Sequence, residues 1–147
     1  MKKVSNLIYH KGNTVTIIDG SKSVYDALEI MVQKNIGSLV VYENDQFVGV
    51  VTERDYAQKV IVKGKHSHDT LISEIMQAEP ASVKLDDTIE RCMELMSDKH
   101  IRYLPVVADG HVVGLVSMGD VVRYIDALIL AQKGDADSLK PVAPLRP

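Results

Sequence analysis

The sequence predicts an α+β fold in which one β-α-β-β-α unit is used twice, and three observations carry the prediction. The chain repeats itself: Gly49, Thr52 and Asp55 fall on Gly114, Ser117 and Asp120 at one constant offset of 65 positions, with no gap for a long way on either side. The same shift superposes Glu29 on Glu94, Met31 on Met96, Lys34 on Lys99, Ile36 on Ile101, Leu39 on Leu104, Val41 on Val106 and Val48 on Val113. Within each copy, short β-rich runs alternate with stretches whose apolar residues recur at helical spacing. Finally, 147 residues suffice for two small, mutually supporting units, since a chain of this size buries about 68–70% of its unfolded surface. A period longer than the roughly 20–50 residues of solenoid repeats favours a closed pair related by approximate two-fold symmetry.

The first repeat is expected over residues 5–68. Val15-Thr16-Ile17-Ile18 reads as a short strand, closed by Asp19-Gly20-Ser21. Ser23 is placed to cap a helix, its hydroxyl accepting from a first-turn amide. That helix carries Val24, Ala27, Leu28, Met31 and Val32 on one face and ends at Asn35-Ile36-Gly37. Ser38–Tyr42 and Phe47–Val51 are β-rich and flank a hairpin turn at Glu43–Gln46. A second helix follows from about Glu53, with Tyr56, Ala57, Val60 and Ile61 at helical spacing.

The second repeat, expected over residues 69–131, replays this order. Thr88 caps a helix burying Ile89, Cys92, Met93 and Met96; Tyr103–Val107 and Val112–Val116 are strands around the hairpin signal Asp109-Gly110. Met118 to about Leu130 is the closing helix. Pro105 inside a strand predicts an edge or strand-start position. Residues 63–70 are polar and read as a flexible, solvated inter-repeat linker, and Leu71–Met76 as a short helical lead-in to the second repeat. Residues 132–147, with Pro141, Pro144 and Pro147 and no periodicity, read as a disordered tail.

Composition narrows the function. With 46% hydrophobic and 25% charged residues, the chain has the balance of a soluble globular protein. A net charge of −3, with lysines and arginines scattered, argues against nucleic-acid binding and against a polybasic membrane patch. The lone Cys92 cannot form an internal disulfide. Met1–Asn6 starts like a signal peptide but no apolar stretch follows, and no run reaches the length of a membrane span. Cytoplasmic localisation is the expectation.

The most polar shared feature is Gly-x-x-Ser/Thr-x-x-Asp at the end of an apolar strand. One reading is structural: Thr52 with Asp55, and Ser117 with Asp120, are capping boxes, and Gly49 and Gly114 are strand glycines against which another segment packs closely. The other is a ligand site on the same geometry. A helix N-terminus attracts phosphate, a hydroxyl adds a donor, a carboxylate on the first turn can take both hydroxyls of a ribose, and an upstream glycine lets a ligand lie against bare backbone.

These residues resemble the cystathionine-β-synthase (CBS) domain. The resemblance is carried by His100-Ile101-Arg102-Tyr103-Leu104-Pro105-Val106-Val107, by Gly114–Asp120 and by Thr52-Glu53-Arg54-Asp55-Tyr56-Ala57, and covers about residues 5–130. It implies two β-α-β-β-α repeats packed sheet to sheet with two clefts between them, similar to a stand-alone bacterial-type pair without an effector domain. It further implies an adenosine-containing regulatory ligand (AMP, ADP, ATP, NAD or S-adenosylmethionine), a homodimer and an unidentified regulated protein partner. By the family pattern, Asp55 and Asp120 take ribose hydroxyls and Thr52 and Ser117 take phosphate. Backbone at Gly37-Ser38-Leu39 and Tyr103-Leu104-Pro105 frames adenine, with Thr16, Ile17, Ala81 and Ser82 near the base. Arg54 and Arg102 are phosphate candidates, since guanidinium pairs well with phosphate oxygens. Val40 in place of Pro105, and Glu53-Arg54 in place of Met118-Gly119, predict two clefts of different affinity.

No catalytic function is expected. No carboxylate pair is placed for acid–base work, and Cys92 aligns with Ala27 as a small core residue. IMP dehydrogenase carries inserted CBS pairs, but its barrel needs about 250 residues. His66 and His68 lie beside Asp69 without the further ligands a metal needs, so no metal site is expected. His100 and His111 read as surface residues. The competing functional reading is an interaction module in which the repeated motifs act only as helix caps.

Overall fold

The computed structural model describes residues 2–12 and 14–133. In chain order the elements are α1 (Val4–Lys11), β1 (Ile17–Asp19), α2 (Val24–Lys34), β2 (Ser38–Glu43), β3 (Gln46–Thr52), α3 (Glu53–Tyr56), α4 (Ile72–Ile75), β4 (Gln77–Ala78), α5 (Ile89–Lys99), β5 (Tyr103–Ala108), β6 (His111–Ser117) and α6 (Met118–Gln132). A π-type turn, Ala57–Ile61, continues α3, and a 3₁₀ turn spans Ser67–Asp69. The expected tail beyond residue 133 lies outside the described residues. The fold is the α+β pair of β-α-β-β-α-like units that the repeat predicts, with two sheets. Its described residues fall into two compact units, one of residues 15–80 and one of residues 2–12, 14 and 81–133.

In the first-repeat unit the sheet order is β1-β2-β3-β4, with β1 parallel to β2 and the other pairs antiparallel. Ser23 caps α2 as expected, its hydroxyl accepting from the Asp26 amide at 3.1 Å. Val24, Ala27 and Met31 on α2 pack with Leu39, Val41, Val51, Val60, Ile72 and Ile75 into one apolar cluster. The linker is ordered at its centre: the His68 ring stacks on Tyr25 of α2 with centroids 3.9 Å apart. The short helix α4 and strand β4 pack within this unit, not with the second repeat, because β4 pairs with β3 (Gly49 opposite Ala78, Val50 opposite Gln77).

The second-repeat unit is built on the β5–β6 hairpin, and its expected first strand is reduced to a single parallel bridge between Val83 and Val106. Helix α1 completes the unit: Val4, Leu7 and Ile8 join Cys92, Leu95, Met96, Leu104, Val106, Val116, Val121 and Tyr124 in its core. The offset of 65 extends to backbone irregularities. Left-handed residues end α2 and α5 at Asn35 and His100, and β-bulges fall at Val41/Tyr42 and Val106/Val107. The hairpin turns use positive φ at Asn44-Asp45 and at Asp109-Gly110, the backbone twist that two-residue hairpins require.

Three expected core residues face outward. Val32 is 80% exposed, Ile61 57% and Met93 41%, while Leu95 is buried on α5. The helical face is narrower than the apolar positions of the sequence, and the repeat itself marks the difference, since Ser97 and Asp126 occupy the counterparts of Val32 and Ile61.

Candidate functional site

Each repeated motif sits where the second strand of an antiparallel hairpin turns into a helix. In the first-repeat unit Thr52 ends β3 directly opposite Ser38, the first residue of β2. Its extended backbone (φ −129°, ψ 163°) stops the strand and starts α3. The Thr52 hydroxyl accepts from the Asp55 amide at 3.1 Å, and Asp55 Oδ2 accepts from the Thr52 amide at 2.9 Å and from its hydroxyl at 3.0 Å. Asp55 is buried, at 2% exposure. Its other oxygen, Oδ1, is held by Lys59 Nζ at 3.0 Å, and the same ammonium donates to the Ile75 carbonyl at 2.8 Å. A buried carboxylate needs such partners, because an unpaired charge in this environment is strongly disfavoured.

The second motif repeats the cap with different company. Ser117 lies opposite Tyr103, its hydroxyl accepts from the Asp120 amide at 3.0 Å, and Asp120 Oδ2 accepts from the Ser117 amide at 2.8 Å. Two cations, not one, hold the carboxylate: Lys11 Nζ from α1 reaches Oδ2 at 2.8 Å and Arg123 Nη2 reaches Oδ1 at 2.5 Å. Lys11 also donates to the Leu115 carbonyl at 2.8 Å. Sequence reasoning missed Lys11, Lys59 and Arg123. Lys59 and Arg123 carry a local signal, standing four and three residues after the motif carboxylate on the same helical stretch, whereas Lys11 carries none.

The first helical turn is partly occupied by the protein's own acceptors. The Glu53 amide donates to the Gly37 carbonyl at 3.0 Å, and its counterpart Met118 donates to the Arg102 carbonyl at 2.9 Å. These contacts place Gly37, Ser38 and Thr52 together in one unit, and Arg102, Tyr103 and Ser117 together in the other. Leu39, Leu104 and Pro105 are buried beside them. Thr16 joins the first group through its carbonyl, which accepts from Val40 at 3.0 Å, and Ile17 is exposed on β1. Ser82, Arg54 and Arg102 are exposed.

The motif glycines serve packing. A Cβ at Gly49 would lie 2.6 Å from the Gln77 carbonyl oxygen, and one at Gly114 would lie 2.7 Å from Ile8 Cδ1. Bare backbone therefore admits β4 in one unit and α1 in the other, which corrects the reading of these glycines as a bed for a ligand. Cys92 is buried, and burial, with a smaller contribution from Asp87, raises its thiol pKa to about 11. Among the described residues, no three or more His, Cys, Asp or Glu are grouped to hold a metal ion, and no helix is long and apolar enough to cross a membrane.

The CBS-domain family profile matches this chain twice, over residues 12–61 and 72–127. The chain belongs to the CBS-domain family. As a tandem CBS pair it is 38% identical over 134 residues to the mitochondrial CBS domain-containing protein CBSX3 of Arabidopsis thaliana, an alignment covering 83% of this chain and 64% of the plant protein. The chain thus spans just under two thirds of that relative's length. The crystal structure of the CBS domain NE2398 superposes with a TM-score of 0.80 at 42% identity, covering 86% of this chain and 98% of that one. The CBS domain pair of protein MJ0100, solved in complex with 5′-methylthioadenosine and S-adenosyl-L-methionine, superposes with a TM-score of 0.76 at 25% identity, covering 87% of this chain and 98% of that one. CBS domains are regulatory, non-catalytic modules, and the two units of this chain are such domains.

Proposed function

We propose that this CBS pair is a regulatory sensor that binds an adenosine-containing ligand at the Thr52/Asp55 and Ser117/Asp120 motifs. The observation that carries the reading is the duplicated buried carboxylate, set on the first turn of a helix beside a hydroxyl residue and beside the backbone of Gly37–Leu39 or Tyr103–Pro105. A carboxylate is an acceptor-only group suited to the two hydroxyls of a ribose. The adenosine compounds in the MJ0100 pair support the ligand class. In this reading Asp55 and Asp120 take ribose, and Thr52, Ser117, Arg54 and Arg102 face phosphate. Ser38, Leu39, Leu104 and Pro105 frame the base, with Thr16, Ile17 and Ser82 at its edge. Binding then acts on a regulated protein by favouring one conformation of the pair, to the extent of the ligand's differential affinity for the two states.

Isothermal titration with AMP, ATP, NADH and S-adenosylmethionine tests the proposal. Saturable heat that weakens at least tenfold in Asp55→Ala or Asp120→Ala is the expected result. Absence of heat with all four compounds leaves the cap-only reading, which is favoured by one observation: both motifs close complete capping boxes with their own groups.

Self-association belongs to the same reading. Met118, Val122 and Ile129 form an exposed apolar stripe along α6, spaced four and seven residues apart. A sedimentation experiment at micromolar concentration that reads only monomer contradicts this part.

A further inference from the structure

Asp120 has little acceptor capacity left. An ionised carboxylate offers about four lone-pair positions. Oδ2 spends two of them on the Ser117 amide and Lys11, and Oδ1 spends one on Arg123. A vicinal diol donates two hydroxyls and so needs two positions. The Ser117 bond is part of the helix cap, and Arg123 stands three residues from Asp120 on the same helix. Lys11 is the partner that comes from elsewhere in the chain. It is the last residue of α1, its side chain is about one-fifth exposed, and its ammonium bridges Asp120 to the Leu115 carbonyl of β6.

We infer that Lys11 is a latch on the Ser117/Asp120 site: a ribose takes the carboxylate only by displacing it, so ligand binding and the order of the last turn of α1 oppose one another. This rests on the reading of Asp120 as a ligand group. An ammonium released from Asp120 keeps the Leu115 carbonyl as its one acceptor among the described residues, and a partly desolvated charge needs further acceptors or water. It must turn outward, and the last turn of α1, closed by the Gly12 amide on the Ile8 carbonyl at 2.8 Å, loosens with it. Val4, Leu7 and Ile8 keep the rest of the helix docked in the core. By linkage, whatever loosens that turn tightens the ligand by the same factor. Lys59 does not make the same connection, because it reaches Asp55 from four residues along its own helical stretch.

The experiment has two parts. In an Asp55→Ala background, where the second motif alone is left to bind, Lys11→Met is titrated with AMP, ATP, NADH and S-adenosylmethionine. A charged hydrogen bond no longer in competition corresponds to an affinity gain on the order of tenfold. Hydrogen exchange on the unmutated protein supplies the second part and needs no variant to fold. Saturation with a binding compound speeds exchange at Tyr9–Gly12 and leaves the Ser23-capped first turn of α2 unchanged. Unchanged or weaker binding by Lys11→Met, or no change at Tyr9–Gly12 on saturation, overturns the latch. If Asp55→Ala/Asp120→Ala binds as well as Asp55→Ala alone, the ligand reading of Asp120 fails and takes the latch with it; if that binding is lost while Lys11→Met is neutral, the latch alone fails.

Discussion

The Thr52 and Ser117 motifs share one cap and one hairpin neighbour, and differ in the segments that cover their glycines and in the cations that hold their carboxylates. Both join a hydroxyl to the amide three residues on and return a carboxylate to the strand-end amide. Around the first, β4 covers the glycine and one lysine, itself 41% exposed, holds the carboxylate; around the second, α1 covers the glycine and two cations, each 20% exposed, hold it. Duplication preserved the cap and the hairpin contacts beside it, and the partners from outside the hairpin diverged. The two sites are therefore expected to differ in how readily a ligand can take the carboxylate, with Asp55, held by one cation, the easier to free.

The glycines separate the two regions most sharply. Gly49→Ala meets the backbone of Gln77, which can move only if β4 leaves the sheet, so a loss of about 3 kcal/mol is expected from overpacking. Gly114→Ala meets the end of the Ile8 side chain, which can turn, and about 1 kcal/mol is expected. Urea unfolding of both variants checks the order, and equal losses would erase the distinction between β4 and α1.

The carboxylates come next. Asp55→Ala removes a cap and frees a lysine that water already reaches, for about 1 kcal/mol. Asp120→Ala removes the same cap and leaves Lys11 and Arg123 facing each other without their counter-ion, for about 2 kcal/mol after discounting for their partial exposure. Equal values in the same unfolding assay would mean that the second cation contributes nothing. The smallest effect concerns Cys92, which stands where the first repeat has Ala27. Its buried thiol, with a pKa of about 11, is protonated at neutral pH, so alkylation by iodoacetamide is expected only as the protein unfolds. Labelling at the rate of a free thiol under native conditions would contradict the packing of α5.

The same divide explains what the sequence made legible. The caps Ser23, Thr88, Thr52 and Ser117, both hairpin turns and the main strands follow from local residue chemistry, and the structure has them. Strand β4 is two exposed residues, Gln77 and Ala78, held by pairing with β3, and nothing local announces it. Helix α1 leaves a signal, since Val4, Leu7 and Ile8 recur at helical spacing, but its eight residues are too short a window for that period to stand out. The carboxylates and hydroxyls of the candidate site were visible as motif. Their cationic partners were not equally so: Lys59 and Arg123 lie within one turn, whereas Lys11 is 109 residues from Asp120 and only the fold brings it there.

The proposed function stands or falls on whether these two carboxylates bind an adenosine ligand. Titration of Asp55→Ala/Asp120→Ala against the unmutated protein, using AMP, ATP, NADH and S-adenosylmethionine, tests it most directly, with far-ultraviolet circular dichroism showing that the double variant is folded. Saturable heat is expected for at least one compound with the unmutated protein and none with the double variant. Equal heat from both proteins would contradict it and leave Thr52, Asp55, Ser117 and Asp120 as helix caps.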